Sequence, residues 1–183
     1  MKNSLNKIGL LSLLLLGTAT ANANLVNGGT VKFTGELINA ACSVSSDTEN
    51  QTVILGQYRT TPLQGEKDLV TTNVPFYIKL VDCDTEVAKT ASVSFFGNQD
   101  TVNNTLLAID GGGTNQNVAS GVGIEIADAT GKTLTPDGSV YSEPQTLLDG
   151  NNTLHFNARY KTTGTEVQPG AADGFATFVM NYN

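Results

Sequence analysis

The chain has 183 residues, with 10 Lys and Arg against 17 Asp and Glu, one histidine and no tryptophan. A formal charge of −7 with scattered basic residues argues against a nucleic-acid binder, which presents a basic patch to phosphate. Phe, Tyr and Trp together make up 7% of the residues, so no stacking platform for sugars or bases stands out either.

Lys2 and Lys7 precede the apolar run Ile8–Leu16, and a stretch of small and polar residues follows, ending Ala21-Asn22-Ala23. A charged start, a short apolar core and an A-x-A site describe a secretory signal peptide over residues 1–23, cleaved after Ala23. The run falls short of the roughly 20 apolar residues a membrane helix needs, and nothing later approaches that length, so no stable membrane insertion is expected. Cleavage leaves 160 residues, enough for one domain with a sizeable core, and removing two lysines takes the formal charge from −7 to −9.

Val31-Lys32-Phe33-Thr34-Gly35-Glu36-Leu37 alternates, with Val31, Phe33 and Leu37 on one face and Lys32, Thr34 and Glu36 on the other. That period of two is a half-buried strand. It follows the turn-like Asn27-Gly28-Gly29, and Gly35 sits on the apolar face, where a glycine marks close approach by another backbone. Two readings are open at this point: the first strand of a β-domain, or an arm meant for a different molecule.

Ala40–Val44 is expected to continue extended until Ser45-Ser46-Asp47 breaks it, and Gln51–Gly56 reads as a second short strand. A polar, turn-rich loop spans 59–72. Strands are then expected over 74–83, with Phe76, Ile78 and Leu80 on one face, and over 91–96, closed by Gly97-Asn98. The run Leu106–Ile109 leads into Gly111-Gly112-Gly113, and a further strand covers 123–128. Pro136-Asp137-Gly138 and Asp149-Gly150-Asn151 are turns. Residues 153–161 alternate with Leu154, Phe156, Ala158 and Tyr160 inward, and a loop with Pro169-Gly170 follows. The chain closes on 176–183, whose apolar face (Ala176, Phe178, Met180, Tyr182) runs on without a tail. Short strands with turns at regular intervals and no helical periodicity mean an all-β sandwich.

Cys42 and Cys83 are the only cysteines. In an exported chain such a pair is a disulfide rather than a metal site or redox centre. Closing a loop of about 42 residues stabilises a fold by about 4 kcal/mol on the chain-entropy model. His155 lies on the polar side of its strand with no second histidine, there is no G-x-S-x-G elbow, and the triple glycine does not lie between a strand and a helix N-terminus. Asp82 and Asp84, either side of Cys83, are too few for a calcium loop. The three N-x-T tripeptides at Asn50, Asn103 and Asn151 matter only in a eukaryotic secretory pathway. No catalytic constellation and no cofactor site emerges, and an enzyme is not expected.

One set of motifs runs the length of the mature chain. It comprises Val26-Asn27-Gly28-Gly29-Thr30-Val31, Phe33-x-Gly35, Asn39-Ala40-Ala41-Cys42, Gln51-Thr52-Val53 with Leu55-Gly56-Gln57, and Asp82-Cys83-Asp84-Thr85. Phe156-x-Ala158-Arg159-Tyr160, Gly170 and Tyr182 complete it. With these motifs the chain resembles the major shaft subunits (pilins) of type 1-like chaperone–usher fimbriae. The resemblance implies an incomplete immunoglobulin-like sandwich lacking its final strand and completed by a donor strand. It divides the chain into a leader at 1–23, an N-terminal donor-strand arm at 24–38 and a pilin domain at 39–183.

The resemblance implies partners as well: a periplasmic chaperone, an outer-membrane usher, identical subunits in a head-to-tail filament, and minor tip subunits. Export would then run through the periplasm to a fimbria on the bacterial surface. Val31, Phe33, Gly35 and Leu37 would be the arm residues entering a neighbour's groove. Gly170, Phe178, Met180 and Tyr182 would contact the incoming strand, and the carboxylate of Asn183 would anchor basic chaperone residues. A minor adaptor or terminator subunit, or a fimbrial adhesin, is the alternative within the family.

Overall fold

A computed structural model describes residues 28–35, 37, 39–113 and 117–183. The leader expected at 1–23 lies outside these residues, as do Asn24–Asn27, Glu36 and Ile38 of the expected arm. The chain divides into two units, one ending at Glu36 and the other running from Leu37 to Asn183.

Among its described residues the larger unit holds seven strands: β1 (Ser43–Val44), β2 (Val74–Cys83), β3 (Thr90–Gly97), β4 (Val122–Asp128), β5 (Gln145–Thr146), β6 (Gly150–Thr162) and β7 (Ala176–Tyr182). They form two sheets, a four-stranded one in the order β1-β2-β6-β4 and a three-stranded one in the order β5-β3-β7. Every strand pairing is antiparallel, as expected for sheets that each keep one face toward a shared core. The sequence periodicity carries directly into burial. Phe76, Ile78 and Leu80 of β2 and Leu154, Phe156 and Ala158 of β6 are buried, and they meet Ala91, Val93 and Phe95 of β3. Phe95 stands edge-on to Phe156 and Phe76 at centroid distances of 5.5 and 6.1 Å, an arrangement that adds about 0.5–1.5 kcal/mol per pair beyond area burial.

Three local expectations are corrected. Ala40–Cys42 is bent rather than extended, so β1 is only two residues long. Ser46–Glu49 forms a single helical turn (α1) where a simple break was expected, held by the Thr48 and Glu49 amides donating to the carbonyl of Ser45. Gln51–Gly56 is not a strand. Its alternation survives, with Val53 and Leu55 half-buried against the core and Ile54 exposed, but no described strand lines up beside it. A ladder needs a partner's carbonyls and amides as well as a period of two.

The outer face of the larger sheet is held by charge. Glu125 on β4 is buried, and its carboxylate accepts from Arg159 Nε at 2.6 Å and from Lys161 Nζ at 3.3 Å, both on β6. Burial pushes that carboxyl up, yet the two cations outweigh it and hold it below its ordinary value.

Candidate functional site

Cys42 and Cys83 form a disulfide between the bend that leads into β1 and the end of β2. Between Leu80 and Cys83 the β2–β6 register shifts, and Asp82 there takes a left-handed φ of 52°. The bulge turns Cys83 inward beside buried Cys42. Asp82 and Asp84 therefore sit on a bulge and a turn rather than on one strand face. Asp84 uses its carboxylate to accept from the Glu86 amide.

The most unusual element is β7. It pairs with β3 from Gly97↔Ala176 to Ala91↔Tyr182, and the order β5-β3-β7 leaves its other edge without a strand partner among the described residues. Natural sheets rarely leave a seven-residue edge strand with a regular row of backbone donors and acceptors unprotected. Its inward side chains Ala176, Phe178, Met180 and Tyr182 pack against the core but are only half-buried, whereas those of β2 and β6 are closed over. Phe178 lies tilted against Phe95 at 6.5 Å, and Tyr182 donates its hydroxyl to the carbonyl of Cys42 at 3.3 Å. Burial pushes the Tyr182 phenol above its ordinary pKa, so the hydroxyl stays a donor at physiological pH. The three-stranded sheet opposes a four-stranded one, and one of its members, β5, is two residues long. The core is therefore short of cover along β7.

In the N-terminal unit, none of the described residues 28–35 belongs to a strand. Val31 is 75% and Phe33 89% exposed, and Leu37, the first residue of the larger unit, is fully exposed. Val31, Phe33 and Leu37, which alternate in the sequence, each meet water. A Cβ built at Gly35 would meet nothing within 4 Å beyond its chain neighbours.

Gly170 lies in the loop before β7 and not on it, and its backbone is pressed against 117–119. A Cβ there would stand 2.4 Å from the Asn117 carbonyl oxygen and the Ala119 nitrogen. The backbone oxygen of Asn183 accepts from the amides of Lys89 and Thr90, both at 2.8 Å, which extends the β3–β7 ladder by a step. His155 is exposed, edge-on to Tyr77 at 4.9 Å. Among the described residues no three His, Cys, Asp or Glu side chains are placed to hold one metal ion, and no helix is long and apolar enough to cross a membrane.

Two features carried no clear sequence signal. Phe175, just before β7, is exposed and sits with Phe96 on a cleft of about 320 Å³. The loop around Tyr58 and Arg59 forms a second cleft of about 400 Å³.

Comparison with known proteins agrees with this geometry. Residues 31–183 match the family described as Fimbrial protein. The chain is 45% identical to the type 1 fimbrial subunit of Salmonella typhimurium, over the whole length of both. It is 46% identical to the A chain of the type 1 fimbrial protein of Escherichia coli K12, covering 90% of this chain and 88% of that one. Among solved structures, a chaperone–usher pilus whose structure addresses rod uncoiling superposes with a TM-score of 0.71 at 30% identity, covering 89% of this chain and all of the other. The P pilus rod subunit PapA gives a TM-score of 0.64 at 28% identity, covering 79% of this chain and all of that one.

Proposed function

This chain belongs to the fimbrial protein family, and from that premise we propose that it is the repeating shaft subunit of a chaperone–usher fimbria, polymerised by donor-strand exchange. Its role is structural, without catalysis. The observation that carries the reading is the pairing of two deficits: β7 has an open edge over a half-covered apolar face, and Val31, Phe33 and Leu37 stand exposed. The arm of one subunit, residues 24–38, would lie along β7 of the next. This is β-augmentation, of which chaperone–pilin complementation is an established example.

The energetics favour a durable junction. Burying Val31, Phe33 and Leu37 contributes roughly 1.5–3 kcal/mol each. Each backbone hydrogen bond to β7 adds about 1 kcal/mol net. A periplasmic chaperone would cover β7 first, with the Asn183 terminus as its anchor, and the outer-membrane usher would guide the exchange. No nucleotide is needed, because the arm replaces a less complete fit with a better one. Head-to-tail addition is heterologous and non-closing, so the product is a filament on the cell surface.

Gly35 is the discriminating position. A Cβ there meets nothing in its own chain, so a large side chain is expected to leave the subunit's fold intact and to obstruct only a neighbour's groove. Gly35→Trp is expected to accumulate as a soluble chaperone complex and to give no detergent-resistant polymer on a gel. Normal fibres from this variant would overturn the arm assignment. Deleting Asn24–Leu37 is expected to leave a subunit that accepts an arm but donates none, capping fibres when mixed with wild type. Abundance in purified fibres separates a shaft subunit from an adaptor, terminator or adhesin of the same fold.

A further inference from the structure

The point where the arm joins the sandwich is held by two different elements. Asn39 and Ala40 are exposed, and the chain becomes buried at Ala41 and Cys42. The Ala41 carbonyl accepts from the Asp84 amide at 2.9 Å, just past the end of β2. The next carbonyl, that of Cys42, accepts from the Tyr182 hydroxyl at 3.3 Å, at the end of β7. Because each peptide unit is planar, these two bonds orient the planes on either side of Cys42, and with them the direction in which the preceding residues leave the domain. The first anchor is independent of β7, since Asp84 follows Cys83, which the disulfide ties to Cys42. The second belongs to the strand proposed above to take an incoming arm.

The end of β7 is bonded along one edge. Asn183 exchanges backbone hydrogen bonds with Thr90 and also accepts from the Lys89 amide, whereas no strand lines the other edge among the described residues. A chain end held on one side frays, and a strand docked on the other side suppresses the fraying. We propose that Tyr182 is a positioning residue for the subunit's own arm: filling the groove along β7 holds the Tyr182 hydroxyl on the Cys42 carbonyl, which orders the root of the arm at Asn39 and Ala40 and prepares it for donation. The proposal rests on the donor-strand reading above and adds a coupling between the accepting and donating sites of one subunit.

A filled groove shifts the arm root only by as much as the docked strand favours the bonded form of Tyr182 over the frayed one. With one neutral hydrogen bond as the link, that shift is about fivefold. The coupling also runs in reverse, as any equilibrium coupling between two sites must. An arm already docked in a neighbour holds its own root, which favours the Tyr182 bond and tightens the groove of the same subunit.

The test uses mature subunits that react in one direction only. The donor is wild type or Tyr182→Phe with its groove filled by a synthetic peptide of residues 24–38, so that it cannot accept. The acceptor is Gly35→Trp, which cannot donate. Their product is a single detergent-resistant dimer, and its rate of appearance is read on a gel. Tyr182→Phe keeps the ring against the core and loses the hydroxyl, and its filled form is expected to donate about fivefold more slowly than filled wild type. In parallel, NMR order parameters of Asn39 and Ala40 are measured in the Gly35→Trp subunit before and after the peptide is added. They are expected to rise toward the rigid value of about 0.85 when the peptide binds, and to rise less when Tyr182→Phe is present as well. Equal donation rates from the two donors would overturn the proposal. So would order at Asn39 and Ala40 that ignores the peptide, a result that needs no change at Tyr182. Absence of any dimer from the wild-type donor would instead overturn the donor-strand reading beneath it.

Discussion

At the scale of single residues, polar side chains fix the turns and loop edges that the apolar pattern does not specify. Asp128 at the end of β4 is buried, and one carboxylate oxygen accepts from the Thr130 amide, the Thr130 hydroxyl and the Lys132 amide, while the other accepts from the Glu143 amide at 2.9 Å. Burial pushes this carboxyl up, but the hydrogen bonds outweigh burial and its pKa lies below the ordinary 3.8. A depressed native pKa contributes stability that is complete above the unfolded value and is lost as pH falls through the native one. Asp128→Asn keeps one acceptor oxygen but turns an NH₂ group toward a backbone N–H, which costs about 1–3 kcal/mol for the buried donor left without a partner. The stability gap between wild type and this variant in urea melts is therefore expected to be largest at neutral pH and to narrow below pH 3.8. A gap independent of pH would show that the ionised form is not what holds the turn. The turn after β4 is local and was legible at Thr130-Gly131, but the Glu143 amide was not, because it comes from a distant segment. Gly170 is a similar case: its motif position marks it in the sequence, but the reason for a glycine there is the 117–119 backbone.

At the scale of elements, alternation placed β2, β3, β4, β6 and β7 well, since a period-two run with a bulky inward face has few other ways to fold. It misplaced Gln51–Gly56 because periodicity specifies where side chains point and not whether a neighbouring backbone is present. The same gap applies to β7: alternation gave its length and inward face, whereas its open edge followed only from the family resemblance, since periodicity does not report a missing neighbour. The two faces of β7 give a contrast that tests its role. Val179→Lys places a cation on the exposed side of the strand, and fibres are expected to form at close to the wild-type yield. Met180→Lys places the cation on the half-buried apolar face, where it would have to be desolvated under an incoming strand. It is expected to fold with its ladder to β3 intact and yet to lose most of its detergent-resistant polymer. Equal polymer yields from the two variants would mean that nothing docks on that face.

At the scale of the whole molecule, the two units have complementary deficits: one exposes apolar side chains, and the other leaves a core incompletely covered. A disulfide between Cys42 and Cys83 closes a loop of about 42 residues and stabilises the sandwich despite the thin sheet. The sum can be measured without a filament, using the chain lacking Asn24–Leu37 and a synthetic peptide of residues 24–38. Ordering the peptide costs about 1–2 kcal/mol per residue of backbone entropy, and its hydrogen bonds to β7 return about 1 kcal/mol each, so affinity rests on the apolar side chains. Peptide at about a hundred times its dissociation constant is expected to stabilise the truncated chain by about 2.7 kcal/mol, read as a higher urea midpoint. A peptide with Phe33→Ser loses one of three anchors and is expected to need a much higher concentration for the same shift, while Lys32→Ser, on the opposite face, is expected to match the parent. That ordering follows from period-two geometry alone. Equal shifts from all three peptides, or none from the parent, would mean that the exposed arm and the uncovered strand belong to different stories.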